Sequence, residues 1–360
     1  MLGIAAFSNS KVPEIVDLPP PPPPKAGEIL CRTLQLGVCG TDREILASLQ
    51  PAIPPGADFL VLGHECLARV ENLGPGVEGL SPGDLVVPLV RRPIGQPRHR
   101  SDLLTPGEFI ERGILKAHGF SATQWIDTPQ YLLPIPPEIV PLAILAEPTS
   151  IAEKGINESI ILQEARLGKH IWRDEPPHVL VTGMGPIGFM AIIACLCRGW
   201  RVTHFGRDPG DSFRAQLSKQ FGSIYTSQID APATLDGIIA NPFDLVLECT
   251  GNEDVMLNAA QAMSPRSVMV WLGSSRQPAP NNRNIALLMR QGLVRNSIFI
   301  GSVNSAVRDF QDALTHLAQM DRQVPNTMSQ LITDKVKPTN SLWHYTHRQP
   351  QGIKTIVTFD

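Results

Sequence analysis

Residues 178–197, HVLVTGMGPIGFMAIIACLC, constrain the fold more than any other stretch: an apolar run of strand character enters a glycine-rich turn, and an apolar helical run leaves it. In the pattern Gly183-x-Gly185-x-x-Gly188 the first glycine permits the tight turn and the second lets backbone approach a pyrophosphate. The third lets helix and strand pack closely. Phosphates would then lie at the positive end of the helix. Gly183, Gly185, Pro186, Ile187 and Gly188 are therefore expected to hold a dinucleotide. The competing reading, a glycine-rich packing turn, is disfavoured by the strand before it and by a second strand ending near residue 205.

The end of that second strand selects the nucleotide. An acidic side chain there accepts both ribose hydroxyls of NAD, whereas an arginine meets the 2′-phosphate of NADP. RVTHF ends in Gly206-Arg207-Asp208. With Gly206 at the discriminating position there is room for a phosphate and Arg207 can pair with it, so NADP is favoured over NAD. A register shifted by two residues would instead put Asp208 on the ribose.

Further strand-like runs at FDLVLECTG, SVMVWLG and SIFIGSV, separated by helical segments, predict a parallel doubly wound sheet. The first 140 residues differ: they are rich in Pro and Gly and carry short apolar runs, the pattern of short strands joined by tight turns. At 360 residues, 42% hydrophobic, the chain suits two domains. The prolines at 19–24 read as a rigid connector, and LAILAEPTSIAEKGINESIILQEARLG as a helix that Pro148 starts or kinks. The closing residues offer a helix at SAVRDFQDALTHLAQM and a strand at IKTIVTF.

A net charge of -3 provides no basic field for nucleic acid or an anionic membrane, which leaves a small-molecule ligand as the expectation. No apolar run reaches the roughly 20 residues of a membrane span and no secretory leader is evident, so a cytoplasmic location is expected. The six cysteines lack the dense spacing of a disulfide framework.

Chemistry enters at VLGHECLARV (61–70), where His64 and Glu65 interrupt an apolar run. Burying such a pair costs several kcal/mol unless something pairs with it. Cys39, 25 residues earlier in LGVCGTD, is a candidate third partner, since thiolate and imidazole suit zinc, and a catalytic zinc takes three protein ligands and keeps one position open. On spacing alone a structural Cys and a structural His remain the equal alternative.

Taken together, GVCGTD (37–42), GHE (63–65), GDLV (83–86), Glu147-Pro148, the glycine turn and GSVN (301–304) resemble the zinc-dependent medium-chain alcohol dehydrogenase superfamily. In detail they are most similar to its archaeal-type NADP-linked glucose dehydrogenases, on the strength of residues 107–136, 145–156 and 301–310. The resemblance implies an α/β protein: a GroES-like β-rich catalytic domain at 1–170, to which 305–360 return, and a Rossmann doubly wound parallel-sheet domain at 171–304. It implies one catalytic zinc held by Cys39 and His64, with Glu65 as a direct or water-linked ligand and Glu147 at the metal. Thr41 would pass the alcohol proton outward, Asp42 would orient a ligand histidine, and Glu111, Glu147 and Asn304 would contact substrate. The plain alternatives for Glu111 and Asn304 are a loop salt bridge and a strand-end cap.

The implied reaction moves hydride from a sugar hydroxyl, the anomeric carbon of an aldose such as glucose, to NADP and yields a lactone. Other readings are a polyol, threonine or secondary alcohol dehydrogenase, a zinc-free quinone or enoyl reductase, and a non-catalytic NADPH-binding sensor or scaffold. Typical relatives carry a four-cysteine structural zinc lobe, but VRRPIGQPRHRSDLLTPGEF (90–109) contains no cysteine, so no structural zinc is expected. That segment must keep its shape by other contacts or be mobile. Leu89 stands where some sugar-oxidising relatives have a polar residue. A homo-oligomer, dimer or tetramer, is expected.

Overall fold

The computed structural model describes residues 1–229, 242–274 and 285–359. They divide into two compact units, Met1–Glu147 with Leu331–Asp360, and Pro148–Gln330.

In the first unit the central strand Ile29–Gly37 pairs antiparallel with Glu65–Leu73 on one side and with Lys354–Thr358 on the other. Leu85–Pro88 and Leu132–Pro134 extend the sheet beyond Glu65–Leu73, and Ile332–Val336 ends it beyond Lys354–Thr358. Alternate residues of these strands, Cys31, Leu36, Cys66, Ala68, Val70 and Val357, meet in one buried core with Phe120, Trp125 and Tyr345. The period-2 spacing of apolar residues is what sends them to a common face. Residues 19–24 carry neither helix nor strand and join Glu14–Asp17 to Ile29–Gly37.

Segment 91–112 is shaped by an arginine. Arg91, 4% exposed, donates from Nε and Nη2 to Glu111 at 3.0 and 2.9 Å, and lies 3.7 Å over the Phe109 ring. Its Nη1 faces the carbonyls of Ser101, Asp102 and Leu104 at 3.4–3.5 Å. The planar fork of a guanidinium, with five donors, thus gathers in one place a loop and a strand. Its neighbour Arg92 donates to Asp127 at 2.7 Å and covers Tyr131 at 3.9 Å.

Among the described residues the second unit holds six parallel strands in the order Ile224–Ser227, Arg201–Gly206, His178–Thr182, Phe243–Glu248, Met263–Trp271, Ile298–Gly301. Numbered along the chain this is 3-2-1-4-5-6, the doubly wound dinucleotide-binding order, whose switch point lies beside the first strand. Helix Pro186–Cys197 is buried on nearly every face, consistent with its unbroken apolar sequence.

The sequence reading places the domain boundaries at 170 and 305; in the division into compact units, two helices assigned there to the first domain fall almost wholly in the second unit. Helix Ala146–Leu167, with Pro148 in its first turn, sends Asn157 to Asp309 and Asp312 and Gln163 to the Arg266 carbonyl. Helix Val307–Gln323 sends Gln319 to the Cys197 carbonyl. These bonds are made by polar residues on helices that mix polar and apolar side chains, and periodicity does not say which partners such residues meet.

Candidate metal centre and nucleotide turn

Three elements of the first unit converge on one spot. Helix Gly40–Ser48 follows the central strand, and Cys39 is its N-cap residue; the Asp42 Oδ2 accepts the Cys39 N–H at 2.9 Å, a favourable place for a carboxylate. His64 and Glu65 open the strand Glu65–Leu73, in which Glu65 lies opposite Gly37. Sulfur of Cys39, a ring nitrogen of His64 and a carboxylate oxygen of Glu65 all lie within 4.8 Å of one another.

The surroundings fit a divalent cation. His64 and Glu65 are 3% and 1% exposed, a burial that isolated charges do not tolerate. Asp42 Oδ1 faces His64 Nδ1 at 3.6 Å, and both are buried without a hydrogen-bond partner among the described residues. A carboxylate behind an imidazole is the arrangement that orients a metal-ligating histidine. Burial opposes charge on His64, yet Cys39 and Asp42 outweigh it and raise the imidazolium well above the ordinary histidine value. Burial pushes the Glu147 carboxyl up to about 7, against His64, which favours its anion. Soft and hard donors around an electron-rich pocket suit zinc.

The sequence reading misses two supports. Lys354, 1% exposed, pairs with Glu65 across 289 residues of chain and lies 3.4 Å from the Val38 carbonyl. Burial alone would lower its ammonium, but Glu65 raises it. The signal was a lysine inside the apolar strand IKTIVTF. Gly37 is the second: a Cβ there would fall 2.1 Å from Glu65 Oε2, so only glycine leaves room for the carboxylate.

The other candidates of this unit take these places. Thr41 is half-buried in the first turn of helix Gly40–Ser48. Glu147 interacts electrostatically with His64, Glu65, Lys354 and Glu111, although it lies outside the set whose donors converge within 4.8 Å. Glu111 carries the salt bridge to Arg91.

In the second unit Gly183 adopts φ +98°, a conformation other residues resist, and a Cβ on Gly188 would fall 1.9 Å from the Gly183 carbonyl oxygen. A Cβ on Gly185, the N-cap of helix Pro186–Cys197, would meet nothing within 4 Å. The turn is therefore tight where it packs and open where backbone would face a phosphate. His204, which the sequence reading passed over, holds it in place: Nε2 lies 2.8 Å from the Gly183 carbonyl and Nδ1 2.8 Å from Ser218 Oγ. A carbonyl only accepts, so Nε2 carries the proton and Nδ1 accepts from Ser218. Burial holds this imidazole down at about 4. At the end of the second strand Arg207 is exposed, and Asp208 is paired with Arg214 at 2.6 and 2.7 Å. Asn304 stands at φ +60°, and its Oδ1 accepts the Ser305 N–H at 2.8 Å.

Comparison with known proteins matches both units. The family described as glucose dehydrogenase C-terminus matches residues 140–359, and the alcohol dehydrogenase GroES-like domain matches 25–136. Glucose 1-dehydrogenase 1 of Caldivirga maquilingensis is 34% identical over 96% of each chain. Glucose 1-dehydrogenase of Thermoproteus tenax is 36% identical over 91% of each. The structure of Haloferax mediterranei glucose dehydrogenase in complex with NADP, zinc and gluconolactone superimposes with a TM-score of 0.85 at 27% identity, covering 100% of this chain and 99% of that one.

Proposed function

Since the chain belongs to the glucose dehydrogenase family of GroES-like alcohol dehydrogenases, we propose that it oxidises an aldose such as glucose to its lactone with NADP and zinc. The observation that carries this reading is the convergence of Cys39, His64 and Glu65 within 4.8 Å in a chain whose relatives are glucose dehydrogenases. Zinc, when bound there, supplies the Lewis acid for the substrate hydroxyl, and NADP the hydride acceptor.

The protein's own residues do the rest. Cys39 and His64 would hold the metal, with Asp42 fixing the imidazole by its Nδ1 side and Lys354 fixing one oxygen of Glu65. Thr41 takes the hydroxyl proton toward solvent. Glu147, which interacts electrostatically with His64 and Glu65, would stand at the metal. Glu111, which also pairs with Arg91, would accept hydrogen bonds from sugar hydroxyls, and the Asn304 amide would accept and donate them. Gly183, Gly185, Pro186, Ile187 and Gly188 receive the pyrophosphate, and Gly206 and Arg207 the 2′-phosphate.

No described helix is long and apolar enough to cross a membrane, and we place the protein in the cytoplasm. We also read it as a homo-oligomer. Strand Ile298–Gly301 is an edge of the parallel sheet, and the nearby helix Ile285–Arg295 exposes Leu287, Met289 and Leu293.

The test follows NADP reduction with D-glucose before metal removal, after chelation and after zinc is restored. Activity should vanish and return, and Cys39→Ala or His64→Ala should abolish it while NADP binding stays nearly intact. Turnover that survives chelation or the double substitution would overturn the metal reading. Turnover on polyols or threonine with none on glucose would overturn the substrate.

A further inference from the structure

We propose that Arg214 is the residue that sets the nucleotide preference, by withdrawing Asp208 from the ribose. This rests on the NADP reading above and deepens it. In a doubly wound sheet an acidic side chain just past the second strand accepts the ribose hydroxyls of NAD and repels a 2′-phosphate. Asp208, two residues beyond the strand Arg201–Gly206, is such a side chain. Both of its oxygens are taken: Arg214, in the first turn of helix Phe213–Phe221, donates from Nε to Oδ2 at 2.6 Å and from Nη2 to Oδ1 at 2.7 Å. A fork-on-fork pair leaves a carboxylate little capacity for a further hydrogen bond along the same edge, and it cancels the charge that would oppose a phosphate.

The pair is held rather than free to swing. Its side chains are 11% and 20% exposed, Tyr225 donates to the Asp208 carbonyl at 2.6 Å, and Arg214 Nη1 lies 3.4 Å from the carbonyl of Met184 in the glycine turn. Gly206 completes the arrangement, because a Cβ there would fall 2.4 Å from Met184 Cγ and 2.9 Å from the Tyr225 hydroxyl. Arg207 is then left exposed beside a neutral pair in place of a bare carboxylate. A purely structural Arg214 would support both nucleotides alike, whereas a discriminating one changes their ratio.

Titrating the full-length protein with NADP and with NAD by isothermal calorimetry separates the two roles. Arg214→Gln should weaken NADP by about tenfold or more, the size expected for baring a carboxylate held by charge-assisted hydrogen bonds, and should strengthen NAD. Adding Asp208→Asn to Arg214→Gln should recover most of the lost NADP affinity, since the uncovered charge is then gone. Arg214→Lys keeps the charge without the fork and should fall between, which preserves the test if the glutamine variant fails to fold. Equal weakening of both nucleotides, or no recovery in the double variant, would overturn the proposal while leaving the coenzyme reading intact. A wild-type protein that binds neither nucleotide would defeat the coenzyme reading, and this proposal with it.

Discussion

Protonating His204 should destabilise the second unit, and by an amount the structure specifies. An unfolded histidine takes up its proton near pH 6.5, but burial holds His204 at about 4 in the fold. Between those values the unfolded chain binds a proton that the native one refuses, so stability falls as pH falls through the window. The full contribution is present above about pH 6.5, and lowering the pH from 7 to 5 should remove about 2 kcal/mol of it. His204 is 0% exposed, so solvent screening takes little from that figure. Guanidinium unfolding of the full chain at pH 7 and pH 5, followed by circular dichroism, measures the loss, and His204→Gln isolates it from the carboxylates. Glutamine keeps an N–H for the Gly183 carbonyl but does not titrate, so the wild type should lose about 2 kcal/mol more than the variant over this range. Parallel losses in the two proteins would refute the argument that a neutral, buried imidazole holds the glycine turn.

Three more outcomes follow from particular contacts. Gly37→Ala places a Cβ 2.1 Å from Glu65 Oε2 and should lower zinc content and glucose turnover by about tenfold or more, with NADP affinity unchanged; elemental analysis beside kinetics reads both. Arg91→Met strips a buried carboxylate of its partner and should cost about 3–5 kcal/mol in denaturant unfolding, with Arg91→Lys losing less. Leu293, 74% exposed, can become Glu without touching the core, and light scattering of Leu293→Glu should show dissociation to monomers if the helix Ile285–Arg295 lies between copies.

The glycine turn, the helix behind it and the alternating strands were legible because each is written in contiguous residues with a period of its own. Cys39, His64 and Glu65 were legible as ligand types, and their meeting was implied by resemblance more than by spacing. What the chain order concealed are partnerships across long separations. Lys354 reaches Glu65 only because two strands flank Ile29–Gly37 in a particular register, and a lysine in an apolar strand does not announce which carboxylate it faces. Asp208 was visible as a threat to the NADP reading, but its neutralisation by Arg214, six residues on, depends on where the first turn of the next helix points. The helices at 146–167 and 307–323 were recognised, yet which unit they join is decided by Asn157, Gln163 and Gln319, polar residues whose partners are set by tertiary packing.

The lobe gathered by Arg91 also changes what a chelator experiment means. No cysteine lies between Cys66 and Cys195, and the segment's shape rests on a guanidinium, three carbonyls and one carboxylate. Such a clasp has nothing for a chelator to extract and no thiol for an oxidant to attack. In a protein with metal in both places, stripping zinc confounds lost chemistry with a collapsed loop. Here, with zinc proposed at Cys39 and His64, its withdrawal would leave the clasp at Arg91 in place, so that reactivation would report on the metal site and not on this loop.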